Sequence, residues 1–170
     1  MKWKTTVLLL TGLLIGIHDT RATQETSAFS LDGYLILPPV CTLNNNAQIE
    51  VPFGNVGVRK VDGVQYKKPI PYTLVCTGDT SKPWTVSLTF TGTAAPFAMD
   101  NATLLANSPQ NGNRLGIRLL RNGVALPLNT AITIDPASPP TLEAVPVKQP
   151  GSTLLADPFN ATGTLRVTYQ

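Results

Sequence analysis

An all-β sandwich of immunoglobulin-like type is the fold this sequence predicts, and three observations predict it. Six to eight short segments alternate apolar with polar residues at roughly even spacing. Fifteen prolines and thirteen glycines leave almost no stretch able to hold a helix of ordinary length, because proline removes an amide donor and clashes with the preceding turn. Two cysteines, Cys41 and Cys76, most simply form one disulfide in an exported chain. Short strands, frequent turns and a single bridge are the marks of such a sandwich.

The first element is expected to leave before folding. Lys2 and Lys4 precede an apolar run from Val7 to Ile17, and Thr20-Arg21-Ala22 supplies small residues at a cleavage site, so residues 1–22 read as a secretory signal peptide. Its apolar run is too short for a membrane span, and no other run approaches the roughly 20 apolar residues a span needs. Lys2, Lys4, Arg21 and Asp19 leave with it, and the net charge of +3 falls to +1 in residues 23–170. A nearly neutral domain gives no reason to expect nucleic acid or an anionic membrane as partner. The only histidine, His18, is lost as well, which excludes Ser-His and Cys-His catalysis and every His-ligated metal site.

The next stretch, SAFSLDGYLIL, places Phe29, Leu31, Gly33 and Leu35 on one face and Ser30, Asp32 and Tyr34 on the other. Pro38-Pro39 then makes a stiff break before a domain that starts near Val40. Two readings stand at this point. The segment is the first strand of its own sandwich, or it pairs with another molecule by strand addition.

The remaining elements follow from the same periodicity. Ile49, Val51 and Phe53 alternate after the Asn44-Asn45-Asn46 turn. Ile70, Tyr72, Leu74 and Cys76 do so in IPYTLVC, and Trp84, Val86, Leu88 and Phe90 form the apolar face of PWTVSLTFTGT. Residues 93–113 read as a long loop with one helical turn at Asn101–Ala106. LGIRLLRNGVALPL reads as a hairpin turned at Asn122-Gly123. Ile132 with Ile134, and Leu142 to Val147, supply two more strands. In the last, GTLRVTYQ, Gly163, Leu165, Val167 and Tyr169 share one face, and a sandwich would normally continue beyond it.

These segments in this order resemble the subunits of chaperone–usher pili, in particular the minor tip-fibre and adaptor subunits of P-type and type 1-like fimbriae. DGYLILPPVCTLNNNAQIEVPFGNV is similar to the family's N-terminal extension, first cysteine and following strand. KPIPYTLVC is similar to its second-cysteine strand, LGIRLLRNGVALPLN to its central hairpin, and TLRVTYQ to its C-terminal motif.

The resemblance implies an incomplete immunoglobulin-like sandwich lacking its last strand. A periplasmic chaperone would lend that strand, and at an outer-membrane usher the extension of a neighbouring subunit would replace it. Residues 23–37 would then be the extension and 38–170 the pilin domain of a cell-surface fimbrium. Phe29, Leu31, Gly33 and Leu35 would be the strand given away, with Gly33 where the acceptor leaves no room for a side chain. Gly163, Leu165, Val167 and Tyr169 would line the acceptor groove. Where the family usually has glycine this chain has Asp157, a departure at the approach to that groove. It keeps a pilus-terminating subunit as an alternative, beside a self-contained carbohydrate- or protein-binding sandwich.

Other chemistry finds little support. Asp32, Asp62 and Asp157 lie in turn-like settings with nothing to bring two of them together as acid and base. No DxDxDG-like run invites a metal, so no catalytic residue, metal, cofactor or small-molecule substrate is expected. The sequons at Asn101 and Asn160 are ascribed to chance, and Trp84 to core packing.

Overall fold

The computed structural model describes residues 24–78 and 84–170, and the expected signal segment lies outside them. The chain divides into two units, one ending at Leu35 and the other spanning Ile36–Gln170. In the first, residues 24–35 form neither strand nor helix.

Among its described residues the second unit carries ten strands and no α-helix. β1 (Val40–Leu43) pairs antiparallel with β3 (Leu74–Thr77). A three-stranded sheet runs β10 (Thr164–Tyr169), β4 (Val86–Thr91), β8 (Ala131–Ile134). A larger sheet runs β2 (Lys68–Pro69), β9 (Leu142–Lys148), β6 (Leu115–Arg121), β5 (Thr103–Leu105), with β7 (Val124–Ala125) folded back on β6.

Burial follows the predicted period. Val86 and Leu88 of β4 and Ile134 of β8 face Ile117 and Leu119 of β6, Leu142 and Ala144 of β9 and Leu104 of β5 across one apolar core. Two sheets that each bury alternate side chains against the other are the expected solution for strands apolar on one face. A smaller cluster of Val61, Ala106, Leu115 and Leu154 adjoins it, and Phe159 and Ala161 pack against both.

The Asn122-Gly123 turn has φ of 49° and 80°, the two positive values a type I′ hairpin requires. Cys41 and Cys76 are bonded and lie directly opposite in the β1–β3 ladder.

Among the described residues the strands number ten rather than six to eight, and two further expectations differ from the structure. The helical turn at Asn101–Ala106 is β5 instead, laddered from Thr103–Leu105 onto Arg118–Gly116 of β6 with Ala102, Thr103 and Leu104 buried. An edge of β6 needing a partner outweighs the local preference of a short loop. Ile49, Val51 and Phe53 keep their alternation of burial, but residues 47–53 belong to no strand, because no described segment lies beside them to form a ladder.

The disulfide closes a 35-residue separation. Replacing both cysteines by serine should lower unfolding free energy by roughly 4 kcal/mol on the chain-entropy model. Denaturant titration of the oxidised and the double-serine protein checks this.

Candidate functional site

Gln170 and Thr85 exchange both backbone hydrogen bonds, N–H to O at 3.0 and 2.9 Å. Bonded pairs alternate along an antiparallel ladder, so 168↔87, 166↔89 and 164↔91 are the other bonded pairs of the β10–β4 register. The N–H and C=O groups of Leu165, Val167 and Tyr169 therefore point away from β4. No strand among the described residues pairs with that edge.

Across from it lies the segment 47–58. Ile49, Val51, Phe53, Val56 and Val58 are half-buried while Glu50 and Pro52 are exposed. Between Gln48 and Val56 no backbone-to-backbone bond is made to any described residue. Two runs of chain, each patterned for a sheet and each unpaired on the facing side, thus border a groove of about 1360 Å³.

Its floor is the core. Ile70, Leu104, Ile117, Leu119 and Ala144 are buried core residues that also line the groove, with half-buried Phe90, Leu165 and Val167 beside them. Apolar surface left open to water favours being covered at about 25 cal/mol per Å². The arrangement thus offers both backbone partners and apolar area to one added strand.

The walls are tied together beyond the start of β10. Phe53 and Phe159 approach with ring centroids 6.0 Å apart. Asp157, also in the lining, accepts from the Ser108 hydroxyl at 2.7 Å, the Gln110 N–H at 3.0 Å and the Gln110 side-chain amide at 3.3 Å. The buried Asn111 side chain donates to the Leu155 carbonyl and to Ser108 Oγ, and accepts from the Leu155 N–H. The Gln110 N–H first, then the Ser108 hydroxyl, hold the Asp157 carboxyl below its ordinary 3.8.

Of the residues singled out from sequence, Gly163, Leu165 and Val167 line the groove. Tyr169 is in β10 at its far end, outside the lining. A Cβ on Gly163 would collide with Phe90 Cε1, so the Phe90 ring occupies the space a side chain would need. Phe29, Leu31 and Leu35 are 89%, 94% and 106% exposed, and a Cβ on Gly33 would meet nothing within 4 Å. Sequence reasoning missed Ser108, Asn111 and Arg114, whose partners lie 39 to 49 residues away; no local pattern marks them. Among the described residues no cluster of three or more His, Cys, Asp or Glu could hold a metal ion.

Comparison with known proteins places this geometry in context. The family model for fimbrial proteins matches residues 29–170. The fimbrial-like protein YfcQ of Escherichia coli strain K12 is 35% identical over 165 residues, covering 95% of this chain and 97% of that protein. YfcR of the same strain is 32% identical over 137 residues, covering 78% and 75%. Among solved structures, the P pilus adaptor subunit PapF is similar at a TM-score of 0.56 with 23% identity, covering 80% of this chain and 98% of its own. The P pilus rod subunit PapA has the same TM-score with 18% identity, covering 85% and 100%.

Asp157 generates a pH prediction. A carboxyl whose folded-state pKa is depressed adds stability that is present above its unfolded value and lost as pH falls through the folded one. Relative to Asp157→Asn, the native protein should be more stable above about pH 4, with the difference vanishing below the depressed pKa. Thermal unfolding of both proteins between pH 7 and pH 2 reads this.

Proposed function

The chain belongs to the fimbrial protein family of chaperone–usher pilus subunits, structural proteins of a surface pilus, and from that premise we propose that it polymerises by donating one strand and receiving another. The groove between β10 and residues 47–58 is the acceptor. Residues 23–37 are the extension, with Phe29, Leu31, Gly33 and Leu35 as the face given to a neighbour, and 38–170 is the pilin domain. The observation that carries this reading is the unpaired edge of β10 lying over an open core.

The chemistry of assembly follows from that edge. An added strand gains main-chain hydrogen bonds from Leu165, Val167 and Tyr169, and its alternate side chains fill the apolar floor. A subunit with such a groove is aggregation-prone while it is empty. The proposed route is therefore export with a signal peptide, a strand lent by a periplasmic chaperone, and replacement of that strand at an outer-membrane usher. The proposed place is a tip fibre or an adaptor position, supporting adhesion, where a subunit needs a groove and a donor strand and no receptor site of its own.

A fusion of residues 40–170 with a second copy of SAFSLDGYLIL, joined to the C-terminus by a short linker, tests the groove. The fusion should be a monomer that unfolds cooperatively, and the unfused body should aggregate or unfold at markedly lower temperature. An unfused body that is equally stable and monomeric would sink the proposal. Gly33→Leu should leave the subunit folded, since nothing lies within 4 Å of that position, while abolishing its incorporation into fibres. Normal fibres from that variant would remove Gly33 from the donor face.

A further inference from the structure

We propose that a second site, separate from the groove, binds the neutral terminal sugar of a glycan. It is a cleft of about 350 Å³ bordered by Thr93, residues 105–113 and residues 160–162. The inference goes beyond the proposed function, which asks no receptor site of the subunit.

Backbone bonds fix the frame of this cleft. Asn107 and Asn160 form an isolated antiparallel bridge and exchange both hydrogen bonds, at 2.7 and 3.1 Å, while the Leu105 N–H donates to the Thr93 carbonyl at 2.8 Å. The Ser108 carbonyl accepts from the Asn111 and Gly112 N–H groups at 3.0 and 2.8 Å, and its hydroxyl is given to Asp157. Little ordering is left for a ligand to impose.

Side chains are what the frame leaves free. Asn107, Asn113 and Asn160 are exposed, and no described residue takes up their amides, in contrast to those of Asn44, Asn101, Asn111, Asn122 and Asn129. The exposed hydroxyls of Thr93 and Thr162 are likewise without a partner among the described residues. The Asn160-Ala161-Thr162 triplet, ascribed to chance as a sequon, thus supplies an amide and a hydroxyl to one wall.

The lining selects the ligand by exclusion. It holds no ionisable residue, so a metal ion, a phosphate or a carboxylate finds no counter-charge there. It holds no aromatic residue, and its apolar side chains are those of Leu105, Ala106, Pro109 and Ala161, too few to enclose a lipid chain. The N–H groups of Leu105, Asn107, Asn111, Gly112 and Asn160 are already bonded, which leaves an extended peptide no ladder to join. A sugar ring meets the remaining conditions. Its neighbouring hydroxyls each donate and accept, as a carboxamide does, and its C–H face suits a small apolar patch. The volume is at the lower end of the roughly 300–1,000 Å³ usual for ligand sites, which fits a terminal sugar rather than a long chain.

Saturation-transfer NMR on the full-length exported chain tests the site, with lactose, chitobiose and methyl mannoside as neutral probes and sialyllactose as an anionic one. Asn107 and Asn113 border the cleft and not the groove, and neither side chain holds a described partner, so Asn107→Ala and Asn113→Ala should both fold. At least one neutral probe should receive saturation, and each substitution should weaken its binding about fivefold, the net worth of roughly one hydrogen bond. Gln149→Ala removes an exposed amide outside both linings and should leave binding unchanged.

Binding of equal strength in both cleft variants, or equally weakened in Gln149→Ala, would place the sugar elsewhere and overturn the proposal. A response to sialyllactose alone would overturn the neutral class, and no response to any probe would overturn the site. None of these results touches the acceptor groove, which the tethered-strand fusion tests on its own.

Discussion

A sheet interior requires every backbone N–H and C=O to find a partner, and at the outer edge of β10 this chain leaves that requirement open. The edge is not blunted in the ways natural edges usually are. β10 has no proline, no bulge and a single charge, and its inward residues Leu165 and Val167 are only half-buried. An edge with these properties invites pairing. What distinguishes it from a simple liability is the floor beneath, where the buried core residues Ile117, Leu119 and Ala144 line the groove beside half-buried Phe90, Leu165 and Val167.

The walls of the groove are held by interactions other than a shared ladder. On one side the Cys41–Cys76 bond fixes β1 to β3, and the Asn44 N–H bonds the Thr73 carbonyl at 2.8 Å before the chain enters residues 47–58. Asn44, Asn45 and Asn46 all take positive φ there, a conformation asparagine tolerates better than most residues. On the other side Asn111 and Asp157 tie residues 108–111 to 155–157. With both walls anchored, less of the cost of ordering would fall on a strand entering the proposed acceptor, which is the general advantage of a preformed site.

Much of this was legible in the sequence, for a physical reason. Strand alternation is written at a spacing of two residues, so β4, β6, β9 and β10 could be read from their own composition. The Asn122-Gly123 turn could be read from the positive φ its residues favour. What depends on distant partners could not. Residues 101–106 look like a loop until β6 supplies an edge, and Asn111 is an ordinary loop asparagine until Leu155 is folded against it. The segment at Ile49–Phe53 is the instructive middle case. Its pattern is that of a strand, and it fails to be one only for want of a neighbour.

The extension has the converse problem. Phe29, Leu31 and Leu35 are nearly fully exposed, and a short apolar segment with the alternation of a strand would pair with any open edge it met if shape alone decided. Asp32 and Gly33 restrain it in different ways. In the proposed donor role, the Asp32 carboxylate would disfavour edges that present a facing carboxylate, and Gly33 would suit a site with no room for a side chain. In that role, attraction to one edge and exclusion from others would come from the same few atoms. Specificity of this form needs no large interface, because it is a difference in free energy between competing edges rather than the total binding free energy at one of them.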